Sequence, residues 1–174
     1  MQKAAVQRLT TTEAALLALL AIEGERSAYE LQGLVANAIG HLWTPARSGL
    51  YAALPRLVTL GLAARRARLY RITREGRQAL DAWLETVEPG ARETFFLKLF
   101  VGGLTTPEIL LEHVEQFVAD TEARLDEYRE IERTNLNRGH DWFHRHLLRY
   151  ALERAEQELA WADGVVRALR RGPR

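Results

Sequence analysis

Three helix starts are written into residues 10–45, and they constrain the fold more than any other feature of the chain. Thr10 to Glu13 has the spacing in which a threonine hydroxyl accepts from the third helical amide while the glutamate carboxylate returns to the threonine's own N–H. Ser27 to Glu30 repeats that box after Gly24, and Thr44-Pro45 supplies a hydroxyl cap followed by proline at the first helical position, where a missing N–H does no harm. The first helix, running to about Ile22, is apolar on nearly every face (Ala14, Ala15, Leu16, Leu17, Leu19, Leu20), the mark of an element buried all round. The second carries Leu31, Leu34, Val35, Ala38 and Ile39 at three- and four-residue intervals and stops at Gly40.

The third helix begins at Pro45 on this reading. Leu50, Leu54, Leu57 and Val58 form its inner stripe, and Gly49, Ala52, Ala53 and Arg56 lie opposite. A helix whose outer face is small and basic can enter a major groove about 12 Å wide, and its first turn, with Arg47 and Ser48, is where such helices present base-reading side chains. Pro55 removes one backbone bond inside this helix and is expected to bend it convex toward DNA; Gly61 closes it. Leu62 to Arg65 and Arg68 to Thr73 read as two short strands joined at Arg66-Ala67, a turn whose residues accept positive φ poorly, so its tip is expected to be irregular. Thr73 caps a fourth helix with Gly76, Ala79, Leu80, Trp83, Leu84 and Val87 on one side, ended by Glu88-Pro89-Gly90. Three helices, a two-stranded wing and a following helix make a winged helix-turn-helix.

Charge divides the chain. Residues 41–77 hold eight arginines and one acid, Glu75, whereas the total over 174 residues is only +1. Such a concentrated positive field attracts duplex DNA whatever its sequence, because each neutralised phosphate releases a counterion. Residues 89–174 carry 13 basic and 15 acidic side chains, which suggests a different task for the rear half. There, Thr105-Thr106-Pro107-Glu108 starts a helix of about 40 Å with Leu110, Val114, Phe117, Thr121, Leu125, Tyr128 and Ile131 in one stripe, broken by Asn135 to Gly139. A second long helix places Phe143, Leu147, Tyr150, Ala151, Trp161, Val165, Ala168 and Leu169 on a similar stripe. A hairpin of two such helices is too thin to bury both stripes, so a second copy is expected to complete the core. The fold class is therefore mainly α, with a winged helix-turn-helix domain over residues 1–88 followed by a long antiparallel helical hairpin over residues 89–174 that is expected to serve dimerisation.

Several function classes fall away. The chain has no cysteine, which excludes disulfides and thiol chemistry and fits a reducing compartment. The only serines, Ser27 and Ser48, serve helix starts, lysine occurs only at positions 3 and 98, and no glycine-rich phosphate loop is present, so no enzyme is expected. The longest apolar run, Ala14 to Ile22, is far too short to span a membrane and the first residues lack a secretion core, so a cytoplasmic location is expected. His140 and His144, with Asp141 between them, have a spacing that can hold a metal on a helix. Asp141 is explained instead by its position at a helix start, and no metal or other cofactor is assigned.

The wording of residues 9–84 resembles the PadR family (phenolic-acid decarboxylase regulators). The pieces are Leu9-Thr10-Thr11-Thr12-Glu13; Tyr29-Glu30-Leu31; Ser48-Gly49-Leu50-Tyr51 with Leu54 and Arg56-Leu57; Gly61-Leu62; Tyr70-Arg71-Ile72-Thr73 with Gly76-Arg77; and Ala79-Leu80 with Trp83-Leu84. Glu93 to Phe100 is similar to the opening of the C-terminal region in longer members. The wing is shorter than in most relatives, and Pro55 is unusual. The resemblance implies a homodimeric repressor of a palindromic operator, relieved by a small molecule. On this reading double-stranded DNA meets Ser27, Tyr29, Thr44, Arg47, Ser48, Gly49, Tyr51, Ala52, Arg56, Arg65, Arg66 and Arg68, with Arg47 and Ser48 reading bases and Arg56, Arg65, Arg66 and Arg68 holding phosphates. Phe95, Phe96, Phe100, Trp142 and Trp161 are the aromatics that would line a cavity for a flat apolar or aromatic effector. The alternative is a winged protein-interaction module that reads no operator.

Overall fold

In a computed structural model, residues 8–38, 46–88, 92–135 and 142–172 are described. They form two compact units: the first gathers the residues up to Thr86 together with Glu93–Thr106, and the second Val87–Arg92 together with Pro107–Arg174.

The first unit is a winged helix-turn-helix. Its elements are α1 (Thr11–Glu23), β1 (Arg26–Ser27), α2 (Ala28–Ala38), α3 (Arg47–Thr59), β2 (Ala63–Arg66), β3 (Leu69–Ile72), α4 (Arg74–Glu85) and α5 (Arg92–Phe100), followed by a 3-10 turn at Gly102–Leu104. Both capping boxes form. Thr10 N–H and hydroxyl donate to Glu13 Oε2 at 2.9 and 3.0 Å, and Glu13 N–H donates back to Thr10 Oγ1. Ser27 and Glu30 exchange the same three bonds, the shortest 2.6 Å. These bonds hold the Glu30 carboxyl below its ordinary range, first through the Ser27 hydroxyl and then through its amide.

The uniformly apolar α1 lies at the centre, with Ala14 to Leu20 buried. Leu31 and Val35 from α2, Leu50, Leu54 and Leu57 from α3, Tyr70 from β3, and Leu80, Trp83 and Leu84 from α4 join it in one core. Leu97 and Val101 belong to the same core, so α5 packs with the winged helices. Residue 88, the boundary expected from Glu88-Pro89-Gly90, therefore does not mark where the contacts divide. A buried lysine helps to fix α5: Lys98 is 2% exposed, its ammonium lies 4.6 Å from the Trp83 ring centre, and it donates to the Thr86 carbonyl at the end of α4. A cation is favourable against an aromatic face and at a helix C-terminus.

The sheet differs from the expected two-stranded wing in having three antiparallel strands, ordered β1-β3-β2. Arg26 and Ser27 pair with Tyr70 and Leu69, so Ser27 serves both as a sheet residue and as the cap of α2. In the wing, Arg66 pairs with Leu69, which shifts the turn by one residue to Ala67-Arg68. Ala67 takes φ 53°, the left-handed conformation its type resists, and its carbonyl accepts from Arg65 Nε at 2.9 Å. Gly76 in α4 is required by close approach, because a Cβ there would lie 1.9 Å from the Leu62 carbonyl oxygen.

The second unit is an antiparallel hairpin of α6 (Pro107–Asn135) and α7 (Trp142–Arg171), each about 45 Å long at 1.5 Å per residue. On α6 the expected stripe is inward: Leu110, Val114, Phe117, Thr121 and Leu125 are buried. Among the described side chains of α7, which exclude Phe143, the buried ones are small, Ala155 and Ala162, two helical turns apart. Of the large residues expected inside, Leu147, Tyr150 and Trp161 are exposed by 67%, 61% and 41%. Leu148, Leu159, Val165, Val166 and Leu169 are half-buried, so α7 leaves part of its apolar face, Leu147 and Tyr150 above all, in water. No helix among the described residues is long and apolar enough to cross a membrane.

Candidate nucleic-acid interface

The outward surface of α3 is set by which of its residues the core claims. Leu50, Ala53, Leu54 and Leu57 are buried, so Ala53 belongs to the inner stripe and not to the outer face. Ser48, Gly49, Tyr51, Ala52 and Arg56 are exposed. The helix starts later than Thr44-Pro45 suggests: α3 opens at Arg47, with Ala46 at the cap position and no side-chain cap. Thr44 lies outside the described residues. Pro55 is accommodated within one continuous helix, where its carbonyl accepts from the Thr59 hydroxyl at 3.1 Å. Tyr51 reaches from α3 to α2 and donates from its hydroxyl to Gln32 at 3.3 Å.

Around this helix the sheet and α2 add further exposed groups. Tyr29, in the first turn of α2, is 80% exposed. Arg65, Arg66 and Arg68 are all exposed along the wing. Arg65 is held there by its bond to Ala67 and by stacking 5.5 Å from the Tyr70 ring centre. Ser27 is half-buried in the sheet with its hydroxyl occupied by Glu30, which limits what it can offer a ligand.

Arg56 carries a second interaction besides the phosphate contact expected of it. Its Nη1 lies 3.1 Å from Oε1 of Glu13, a carboxylate only 2% exposed. The approach is a close charge pair without the alignment of a hydrogen bond. A buried carboxylate needs a counter-charge, so this half-exposed guanidinium also serves the junction of α1 and α3. Sequence reading missed the pair because its members stand 43 positions apart and Glu13 is fully accounted for locally as a capping residue.

The five aromatics expected around an effector fall into two groups. Phe95, Phe96 and Phe100 are on α5 in the first unit, where Phe95 is buried against Phe96 with ring centres 5.2 Å apart and Phe100 is 43% exposed. Trp142 and Trp161 are on α7 in the second, where Trp142 packs at a tilt against His146 with ring centres 4.0 Å apart and Trp161 meets Phe117 edge-on at 6.0 Å. His140 and Asp141 lie outside the described residues.

Comparison with known proteins bears on the rear half first. Residues 91–170 match the family model described as virulence activator alpha C-term. No match is found among curated proteins. Among solved structures, PadR of Bacillus subtilis is similar at 22% identity over 97% of this chain and 98% of that one, with a TM-score of 0.42. The same protein in complex with operator DNA is similar at 20% identity, covering 92% of this chain and 98% of that one, TM-score 0.42. The Vibrio cholerae virulence activator AphA is similar at 23% identity, covering 92% and 99%, TM-score 0.41.

Proposed function

We propose that the chain is a PadR-type transcriptional regulator that binds double-stranded DNA as a homodimer through α3, the wing and the start of α2. The observation that carries this reading is the exposed face built from Ser48, Gly49, Tyr51, Ala52, Arg65, Arg66, Arg68 and Tyr29, small at the centre of the helix and cationic at its margin. The centre is narrow enough to approach base edges, and the margin supplies the charge that draws a phosphate backbone. Base reading is assigned to Arg47 and Ser48 in the first turn of α3, and phosphate contact to Arg65, Arg66 and Arg68. Arg56 adds to the field while paired with Glu13.

Homodimerisation is supported by the exposed Leu147, Tyr150 and Trp161 of α7, an apolar face that a lone hairpin leaves in water. Two copies place two α3 helices on one duplex, and a separation of about 34 to 36 Å matches half-sites one helical turn apart. Repression of a palindromic operator, relieved by a small molecule, completes the proposal and rests on the family resemblance. Selection of binding sites from random duplexes tests it: recovery of an inverted repeat is expected, and recovery of nothing above background in low salt refutes it.

A further inference from the structure

The second unit contains a charge cluster that DNA binding does not use. Glu158 of α7, only 14% exposed at its side chain, receives three arginines. Arg92 Nη2 lies 2.6 Å and Arg154 Nε 3.1 Å from Oε1, and Arg124 Nη2 lies 3.4 Å from Oε2 while also donating to the Thr121 hydroxyl at 2.8 Å. Burial would push the Glu158 carboxyl up, but the bonds and charges of Arg92 and Arg154 outweigh it and hold the group below its ordinary range. It is a carboxylate, shared among three guanidinium groups. Each guanidinium carries five N–H donors, whereas one carboxylate offers about four acceptor positions. Arg124 Nε shows the shortage: it is buried and meets no acceptor among the described residues.

Beside this cluster a cleft of about 260 Å³ opens between α6 and α7. Arg124 and Arg154 line it together with Tyr128 and Tyr150, over a floor of Ala151 and Ala155. Tyr150 lies four residues before Arg154, so both stand on the same side of α7 and line the cleft. Cationic forks, phenol donors and small apolar floor residues surround a space large enough for a small molecule.

We propose that this cleft binds a small oxyanion, a carboxylate or a phosphate, held by Arg124 and Arg154 with Tyr128 and Tyr150 at its sides. Glu158 is the built-in competitor: it preorganises the arginines and is itself one of the anions they hold. The ligand's oxygens accept from arginine and phenol donors that Glu158 leaves unused. The assignment is independent of DNA binding, because every residue in it belongs to the second unit.

The test is direct titration of the full chain without DNA, in chloride buffer, with inorganic phosphate in one series and acetate in another. The readout is the arginine Nε–H signals of Arg124 and Arg154, which report on this cleft and not on the basic wing. A saturable shift with phosphate, acetate or both supports the proposal and distinguishes the two chemistries. Arg154→Gln is expected to weaken binding at least tenfold, Tyr150→Phe to weaken it about threefold while keeping the ring offered to a second copy, and Glu158→Gln to strengthen it. Arg66→Ala is expected to leave it unchanged. Absence of saturation with both anions, or affinity indifferent to both Arg154→Gln and Tyr150→Phe, overturns the site, and either result leaves the DNA assignment standing.

Discussion

Removing the guanidinium of Arg56 separates two roles that sequence alone assigns to one side chain. In Arg56→Ala, Glu13 keeps its two bonds from Thr10 but loses the charge 3.1 Å from its other oxygen. Leaving a buried charge unpaired costs about 3–5 kcal/mol. Here the Arg56 side chain is 52% exposed, so water reaches the vacated position and the cost falls to about 2 kcal/mol. For a chain of this size that lowers the melting temperature by about 4–8 °C. Glu13→Gln is the milder change, at about 1 kcal/mol, because glutamine also serves the capping box and Arg56 is left facing solvent. The double variant is expected to cost little more than Glu13→Gln alone, which gives a coupling energy of about 1–2 kcal/mol. Urea unfolding of the three variants measures this, and gel shift across a salt series measures the other role. If Arg56→Ala unfolds within about 0.5 kcal/mol of the parent while its salt slope shrinks by about 2 for a dimer, Arg56 is a phosphate contact and the pairing argument fails.

Four further outcomes follow from the same geometry. Arg66→Ala should leave stability unchanged and flatten log K against log salt by about 2 for a dimer, nearly equally on specific and random duplexes; loss confined to one sequence would show base reading instead. Ala67→Gly should stabilise by about 0.5–1 kcal/mol by relieving the positive φ of the wing turn, as read from the denaturation midpoint. Gly76→Ala should cost about 2 kcal/mol or more, since the new methyl must displace the Leu62 backbone, and a parent-like melting curve would contradict that contact. The depressed Glu158 carboxyl contributes stability that is complete above its ordinary value of 4.5 and lost as pH falls through its lower folded value. Thermal melts from pH 6 to pH 3 should therefore fall more steeply for the parent than for Glu158→Gln.

What the sequence makes legible here is what short-range chemistry decides. Thr10, Ser27 and Thr73 each announce a helix because cap and amide are three residues apart, and the long stripe of α6 appears because periodicity needs no knowledge of the partner. What stays hidden depends on residues far apart in the chain. Arg26-Ser27 becomes a strand only because Tyr70 and Leu69 lie beside it, and two residues carry no strand pattern of their own. Ala67 adopts positive φ because the pairing of Arg66 with Leu69 fixes the turn, overriding local preference. On α7 the large residues point to the inner face by their spacing, yet Ala155 and Ala162 are buried while Leu147 and Tyr150 stand exposed, an outcome set by the partner helix and not by periodicity. At the candidate interface, Tyr29 and the wing arginines stand exposed as their polarity suggests, whereas the pairing of Arg56 with Glu13 had no local signal.

The two-residue strand β1 makes one rigid bracket of the wing's inner edge and the first turn of α2. Strand pairing runs unbroken from Arg66 through Leu69 to Ser27, two residues before Tyr29 in the chain. Groove width felt by the wing and backbone position felt by Tyr29 are then mechanically one variable, and substitutions at the two ends of the bracket should fail to add.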